Sequence, residues 1–327
     1  MKSKQGLFAK PLLAALIAGI SLIGHAKDFR SSDVHPTDYP TVQAVTQMGK
    51  VLNEQTKGRL GVKVFANSAM GSEKDTVEQV KIGALDMVRI NSAVLHAISP
   101  AMMVPSLPFL FRSTQHMRDT LDGPIGDQIL ASLEKEGFVG LAFYDSGSRS
   151  FYTTKKPINT VADMKGMKIR VQQSEMWVAI MQALGANATP MPYAEVYTAL
   201  KTGLVDGAEN NWPSFESSRH YEAAKYYSRT EHSMAPEVLV FSKKVWDGLS
   251  KEDQQMIRKA AKESVPHMRK LWDEREAKAR QVVTGGGAQI NDVDKAGFAA
   301  AMKPVYDRFV TDPALKDLVV RIQNGAK

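Results

Sequence analysis

One short pattern occurs twice, and it restricts the fold more than any other feature of this chain. Lys81-Ile82-Gly83-Ala84-Leu85-Asp86 closes a helical stretch, enters a β-like run and reaches Asn91. Lys201-Thr202-Gly203-Leu204-Val205-Asp206 does the same and reaches Asn210. In both, glycine stops a helix, a short strand follows, and an asparagine stands near the strand's far end. The shared residues are too few to establish an internal duplication. They do predict two α/β lobes that present polar side chains at equivalent strand ends. In open α/β sheets ligands sit beyond the carboxyl ends of the strands, so two such ends facing each other make a cleft.

The rest of the chain reads the same way. Strand-like segments at Asp28–Asp33, Leu60–Phe65, Leu85–Ile90, Val139–Tyr144, Arg149–Tyr152 and Met167–Val171 alternate with helical ones, which predicts largely parallel sheets. Tyr39–Lys57 carries Val42, Val45, Met48, Val51 and Leu52 at helical spacing, and Glu175–Leu184 carries Met176, Trp177, Ile180, Met181 and Leu184 as a core stripe. Ser72 with Asp75 forms a short capping box before a helix running to Ile82. Pro100–Phe111 reads as a packed crossover loop. Ser250 caps a helix that ends at Gly285-Gly286-Gly287, and Pro266 inside it is expected to introduce a kink. At about 1.5 Å per residue this helix reaches on the order of 50 Å, enough to cross both lobes.

The N-terminus states a compartment. Lys2, Lys4 and Lys10 precede an apolar run, Pro11–Ile23, and Gly24-His25-Ala26 offers small residues for a signal peptidase. That pattern predicts a cleaved secretory signal at residues 1–26 rather than a membrane anchor, because the run is short for a span. The formal charge of +7 falls to +4 without those three lysines. The remaining cations are interspersed with acids, which argues against nucleic acid as a partner. Cysteine is absent, so no disulfide, thiolate nucleophile or cysteine metal site is available. The seven histidines are scattered, and no His-Glu-x-x-His pair, Gly-x-Ser-x-Gly elbow or phosphate-binding loop occurs. An enzyme is therefore disfavoured, and no metal or cofactor is expected.

The most informative stretch is Asp163-Met164-Lys165-Gly166-Met167-Lys168-Ile169-Arg170-Val171. Met167, Ile169 and Val171 alternate towards one face, and Arg170 points to the other at the end of a strand, beside a helix that starts at Glu175. A planar guanidinium next to free helix amides suits a carboxylate. Taken alone, the position serves a salt bridge equally well.

This stretch, Met191-Pro192-Tyr193-Ala194-Glu195-Val196-Tyr197, Val205-Asp206-Gly207-Ala208-Glu209-Asn210 and Ala69-Met70-Gly71-Ser72-Glu73 together resemble the solute-binding proteins of TRAP (tripartite ATP-independent periplasmic) transporters, the DctP-like family. The resemblance extends over essentially the whole mature chain. It implies a two-lobed α/β periplasmic binding fold, a cleft between the lobes, a long helix spanning both, and closure on a carboxylate. Arg170 matches the family's main anchor, Arg149 a second arginine and Asn210 the asparagine of the Asp-Gly-x-Glu-Asn motif. Tyr193 falls where relatives place an aromatic ring, and Glu73, Asn91 and His35 fall at positions suited to hydroxyls. On this basis lobe I is expected at 27–146 plus 236–276 and lobe II at 147–235 plus 277–327. The partners implied are a small organic acid and the membrane permease subunits, with the binding protein itself a periplasmic monomer.

Each of these residues also has a plainer use. Asn210 could cap the turn before Pro213, Tyr193 could be core, and Glu73 and His35 could be ordinary helix-start and loop residues. Asp86 and Asp206 read as structural acids that bond turn amides. Arg89 is ambiguous, since it can face the cleft or pair with an acid. With Glu73 at the far end of the site, hydroxyls suit the ligand better than a second carboxylate does. The expected ligand is therefore a sugar acid, a hexuronate such as glucuronate or galacturonate. If Arg89 rather than Glu73 reaches it, a C4-dicarboxylate is expected instead. The competing functions are a binder serving an ATP-driven importer or a sensor, and a periplasmic enzyme acting on acidic sugars.

Overall fold

A computed structural model describes residues 27–325; the expected signal peptide at 1–26 lies outside them. Eleven strands are found among these residues: β1 (Lys27–Ser32), β2 (Leu60–Phe65), β3 (Met87–Asn91), β4 (Phe138–Tyr144), β5 (Arg149–Thr153), β6 (Lys168–Val171), β7 (Asn187–Pro190), β8 (Gly207–Asn210), β9 (Tyr226–Ser233), β10 (Glu237–Ser242) and β11 (Gln289–Asp292). They form one sheet in the order β2-β1-β3-β10-β4 and a second in the order β11-β9-β5-β8-β6-β7. The two strands of the repeated pattern, β3 and β8, occupy equivalent central places.

Asp86 and Asp206 explain part of that equivalence. Asp86 accepts the backbone N–H of Arg30 on β1 at 2.8 Å, and Asp206 accepts that of Lys168 on β6 at 2.9 Å. Both acids are structural, but each ties its strand to the neighbouring parallel strand rather than bonding the turn amides expected from local sequence.

The sheets are less uniformly parallel than the sequence predicts. β1 runs parallel to β2 and β3, and β6 to β7 and β8. β10 is antiparallel to β3 and β4, and β5 to β8 and β9. The reason is the route of the chain. β4 ends at Tyr144 and β5 starts in the other sheet at Arg149; β9 ends at Ser233 and β10 starts back in the first at Glu237. A strand that enters across the cleft must run away from it, opposite to neighbours that end there. Glu237 and Arg149 are thereby set at the cleft, with Glu237 opposite Asn91 and Ser150 opposite Asn210.

The long helix is Lys251–Gly285, capped as predicted by the Ser250 hydroxyl accepting from Asp253 N–H. It passes through Pro266, which removes one donor without ending it. Ile257, Ala260, Ala261, Val265, Met268 and Trp272 pack into the core beneath the first sheet, with Phe29, Val45, Met48 and Leu239. Ala279 and Val283 pack with Trp212, Phe215 and Tyr227 in a core of the second. One helix thus belongs to both cores. The Ser72–Asp75 capping box is present at the start of the Glu73–Lys81 helix. The Pro100–Phe111 stretch is more ordered than a loop, because Pro100–Ser106 forms a buried 3₁₀ turn. The terminal helix, Pro313–Gln323, lies near that turn, and Arg112 donates to the Gln323 carbonyl at 2.6 Å.

Candidate ligand-binding site

All eight residues singled out in the sequence line one cavity between the two sheets. Arg170, Arg149, Asn210, Glu73, Asn91, His35, Tyr193 and Arg89 are joined there by Val34, Gln172, Ser214 and Glu237. The space among them is about 20 Å³, room for roughly one water molecule. The lobes meet around it: Tyr39 Oη lies 2.9 Å from Ser214 Oγ, and the His35 ring meets the Tyr193 ring edge-on at 5.0 Å. A larger cleft of about 710 Å³ lies beside His96, Met176 and Phe309, but its Arg308 and Glu175 are exposed and pair with each other at 3.8 Å. The buried arginines Arg89, Arg149 and Arg170 line the small cavity and not this cleft.

The three arginines there have different partners. Arg149, buried at the start of β5, is bound by Glu209 through Nε (2.5 Å) and Nη2 (2.8 Å), and its Nη1 donates to Asn210 Oδ1 at 3.0 Å. Burial works against its charge, but Glu209 more than compensates and raises its pKa. Arg89 donates to Asp33 through Nε (2.8 Å) and Nη2, and to Glu237 (2.5 Å) and Glu73 (3.2 Å) through Nη1. Its guanidinium is enclosed by three acidic side chains, which answers the ambiguity of the sequence: Arg89 pairs with acids while lining the cavity.

Arg170 is different. It is 3 % exposed, and its Nε and Nη2 donate only to the Met191 carbonyl, at 3.1 and 2.7 Å. Among the described residues no carboxylate lies within 4.0 Å of it. Burial accordingly pulls its pKa below the ordinary value, with Glu209 opposing that shift from a distance. A buried cation without an anion is costly, and this one faces the cavity.

The remaining groups are neutral or acidic. Glu73, the first residue of its helix, accepts from Asn91 N–H at 2.9 Å, and burial, with Glu237 and Asp33 nearby, pushes its carboxyl up to about 7 against the pull of Arg89. Asn91 donates to Glu237 Oε1 (3.1 Å) and the Ala235 carbonyl (3.3 Å) and accepts from Ala93 N–H (3.1 Å), so it is tied into the first lobe. Asn210 does not cap the helix at Pro213: Asn211 does, accepting from Ser214 N–H at 2.8 Å. Tyr193 is held by Ser218 and the Ser214 carbonyl. His35 stacks on Tyr39 at 3.7 Å, and burial, then Arg89 and Arg149, lowers its pKa well below the usual value, so its ring is neutral at pH 7.

Sequence reasoning passed over the acids that assign the arginines. Glu209 is fully buried in β8 between Ala208 and Asn210, and Glu237 and Asp33 are nearly so. The signal for Glu209 was available, since a carboxylate inside a short buried strand requires a partner.

Two α/β lobes that exchange strands, share one helix and enclose a cavity with an unpaired arginine define a two-lobed solute-binding protein for an anion. Residues 31–312 match the model of bacterial extracellular solute-binding protein, family 7, and the chain belongs to this DctP family of TRAP solute-binding proteins. A TRAP periplasmic solute-binding protein of Bradyrhizobium sp. BTAi1, solved in complex with α/β-D-galacturonate, is 66 % identical with a TM-score of 0.90, covering 91 % of this chain and 100 % of that one. One from Xanthobacter autotrophicus Py2, with β-D-galacturonate, is 60 % identical with a TM-score of 0.89 over 91 % and 99 % of the two chains. One from Chromohalobacter salexigens, with D-glucuronate, is 42 % identical with a TM-score of 0.88 over 91 % and 100 %. The family is one of transport; it works outside the cytoplasm and delivers to a membrane permease.

Proposed function

We propose that this protein captures a hexuronate, galacturonate or glucuronate, between its lobes and delivers it to a TRAP permease. The observation that carries the reading is Arg170, a buried guanidinium with one carbonyl for a partner and a cavity in front of it. The ligand carboxylate takes that place. Asn210, held in position by Arg149, and Glu73, Asn91, His35 and Tyr193 meet the hydroxyls and the sugar ring. Arg89 supports these groups from behind and is not a second anchor. The uronates bound by the three similar structures support this choice. The C4-dicarboxylate alternative required Arg89 to be available, and Asp33, Glu73 and Glu237 already occupy it.

The cavity is smaller than a sugar, so the lobes part to admit the ligand and close again on it. Strand membership supports lobes bounded at 27–146 plus 236–276 and at 147–235 plus 277–327, with the terminal helix reaching back to the first. We further propose export with cleavage after Ala26 and a monomeric mature protein, read by N-terminal sequencing and light scattering. The function is tested by thermal-shift screening of the mature protein against uronates, aldonates, dicarboxylates and neutral sugars, followed by calorimetry. A uronate is expected to stabilise most. Stabilisation by neutral sugars with none by any carboxylate overturns the reading, and succinate or malate above every uronate overturns the choice of ligand.

A further inference from the structure

Nearly every polar side chain around the cavity already has a protein partner. Arg89 has three acidic side chains, Arg149 has Glu209 and Asn210, and Glu237 accepts from Arg89, Asn91 and Ser146. Two buried atoms there lack one: among the described residues, Gln172 Oε1 and His35 Nδ1 have no hydrogen-bond partner. Buried polar atoms left unpaired in a native fold call for an explanation. His35 belongs to the aromatic stack of the first lobe. Gln172 belongs to the second lobe and stands two residues beyond Arg170, just past the end of β6. It is 8 % exposed and lines the same cavity.

We propose that Gln172 reads the hydroxyl next to the ligand carboxylate and thereby sets the preference between C4 epimers. The inference rests on the hexuronate reading above. In a pyranose hexuronate the carboxylate is carried by C5, whose ring neighbours are the ring oxygen and C4. A side chain adjacent to the anchoring guanidinium meets one or the other. The ring oxygen has no proton to give, whereas the C4 hydroxyl does, and an unpaired amide oxygen needs a donor. Galacturonate and glucuronate differ only in whether that hydroxyl is axial or equatorial. A fixed acceptor beside Arg170 therefore favours one of them, and removing it affects that one more.

The test measures dissociation constants for D-galacturonate and D-glucuronate by calorimetry on the wild type, Gln172→Met and Gln172→Asn, with thermal midpoints reporting folding. Gln172→Met is expected to compress the ratio of the two constants by roughly tenfold, mainly by weakening the preferred epimer. Gln172→Asn, which keeps an amide but withdraws it, is expected to compress the ratio as well. Equal weakening of both uronates, or an unchanged ratio in a folded variant, overturns the role assigned to Gln172 and leaves the function intact. Wild-type protein that binds neither uronate overturns the function, and this inference with it.

Discussion

Replacing Arg170 and Arg149 in turn by methionine separates a ligand anchor from a structural ion pair. The two arginines line the same cavity and are almost equally buried, at 3 % and 2 % exposure. Arg170→Met removes a charge that no carboxylate balances and leaves one carbonyl, that of Met191, without its donors. Relief of the desolvated charge and loss of those bonds oppose each other. The ligand-free protein is expected to stay within about 1 kcal/mol of wild type. Its affinity is another matter. The ligand carboxylate would enter a buried site with no cation, and removing one member of a buried pair costs about 3–5 kcal/mol. That is roughly a 10²- to 10⁴-fold rise in Kd, which takes a micromolar binder towards the millimolar range or beyond.

Arg149→Met instead strands Glu209, which is fully buried and bound through both carboxylate oxygens. The same 3–5 kcal/mol now falls on the fold itself, a drop in Tm of about 6–15 °C. Calorimetry with a uronate gives the affinities, and scanning of the ligand-free proteins gives the midpoints. Both variants lose binding, and only Arg149→Met loses stability. Arg170→Met with a Kd within tenfold of wild type, or with the larger fall in Tm, would refute the assignment.

Three further outcomes follow from particular contacts. Glu73 holds its proton to about 7 in the fold against an ordinary 4.5. Its contribution to stability is therefore full below about 4.5 and declines as pH rises through 7, by about 3 kcal/mol in all. Glu73→Gln should show a smaller fall in Tm than wild type between pH 5 and 8, and an identical pH profile speaks against the buried acid. Tyr39→Phe keeps the ring on His35 but deletes the 2.9 Å contact to Ser214 across the lobes. Ligand should leave about two to ten times faster in stopped flow, and an unchanged rate would show that this contact does not hold the closed form. Gly147 sits in the β4–β5 crossing at φ +58, and an added Cβ there would stand 3.1 Å from the Trp272 ring. Gly147→Ala should cost about 1–2 kcal/mol in denaturant unfolding, and a neutral result would mean that the crossing shifts freely.

Local signals carried much of this fold. Ser72 with Asp75 and Ser250 with Asp253 cap the helices they were expected to cap, because capping is decided within four residues. The strand ends at Asn91 and Asn210 face one cavity, as the repeated pattern predicted. The direction of β5 and β10 was not legible. Their residues alternate like those of any other buried strand, and only the passage of the chain from one lobe to the other reverses them. The helix cap at Asn211 was missed for a smaller reason. Asn210 and Asn211 are the same residue type side by side, and a one-residue shift decides which caps and which faces the cavity. The partners of the arginines were also beyond local reading. Arg89 meets Asp33 and Glu237, which lie 56 and 148 residues away in sequence, and only pairing of β10 with β3 brings Glu237 near.

Those distant acids also bear on why closure would depend on ligand. Glu209 satisfies Arg149, and Asp33, Glu73 and Glu237 satisfy Arg89, from within their own lobes and the strands these receive. Both pairs can persist when the lobes separate. Among the described residues Arg170 has no such partner, so water is its best solvent while the cleft is open. Closing an empty cleft strips that water from a guanidinium and gives it only the Met191 carbonyl in return, which penalises the empty closed form. A ligand carboxylate removes the penalty and adds its own attraction, and the difference in affinity between the two forms shifts the population. A neutral sugar could meet the hydroxyl-binding groups but not this charge. On the proposed function, selection for an acid and coupling of binding to closure are then the same property of one unpaired arginine.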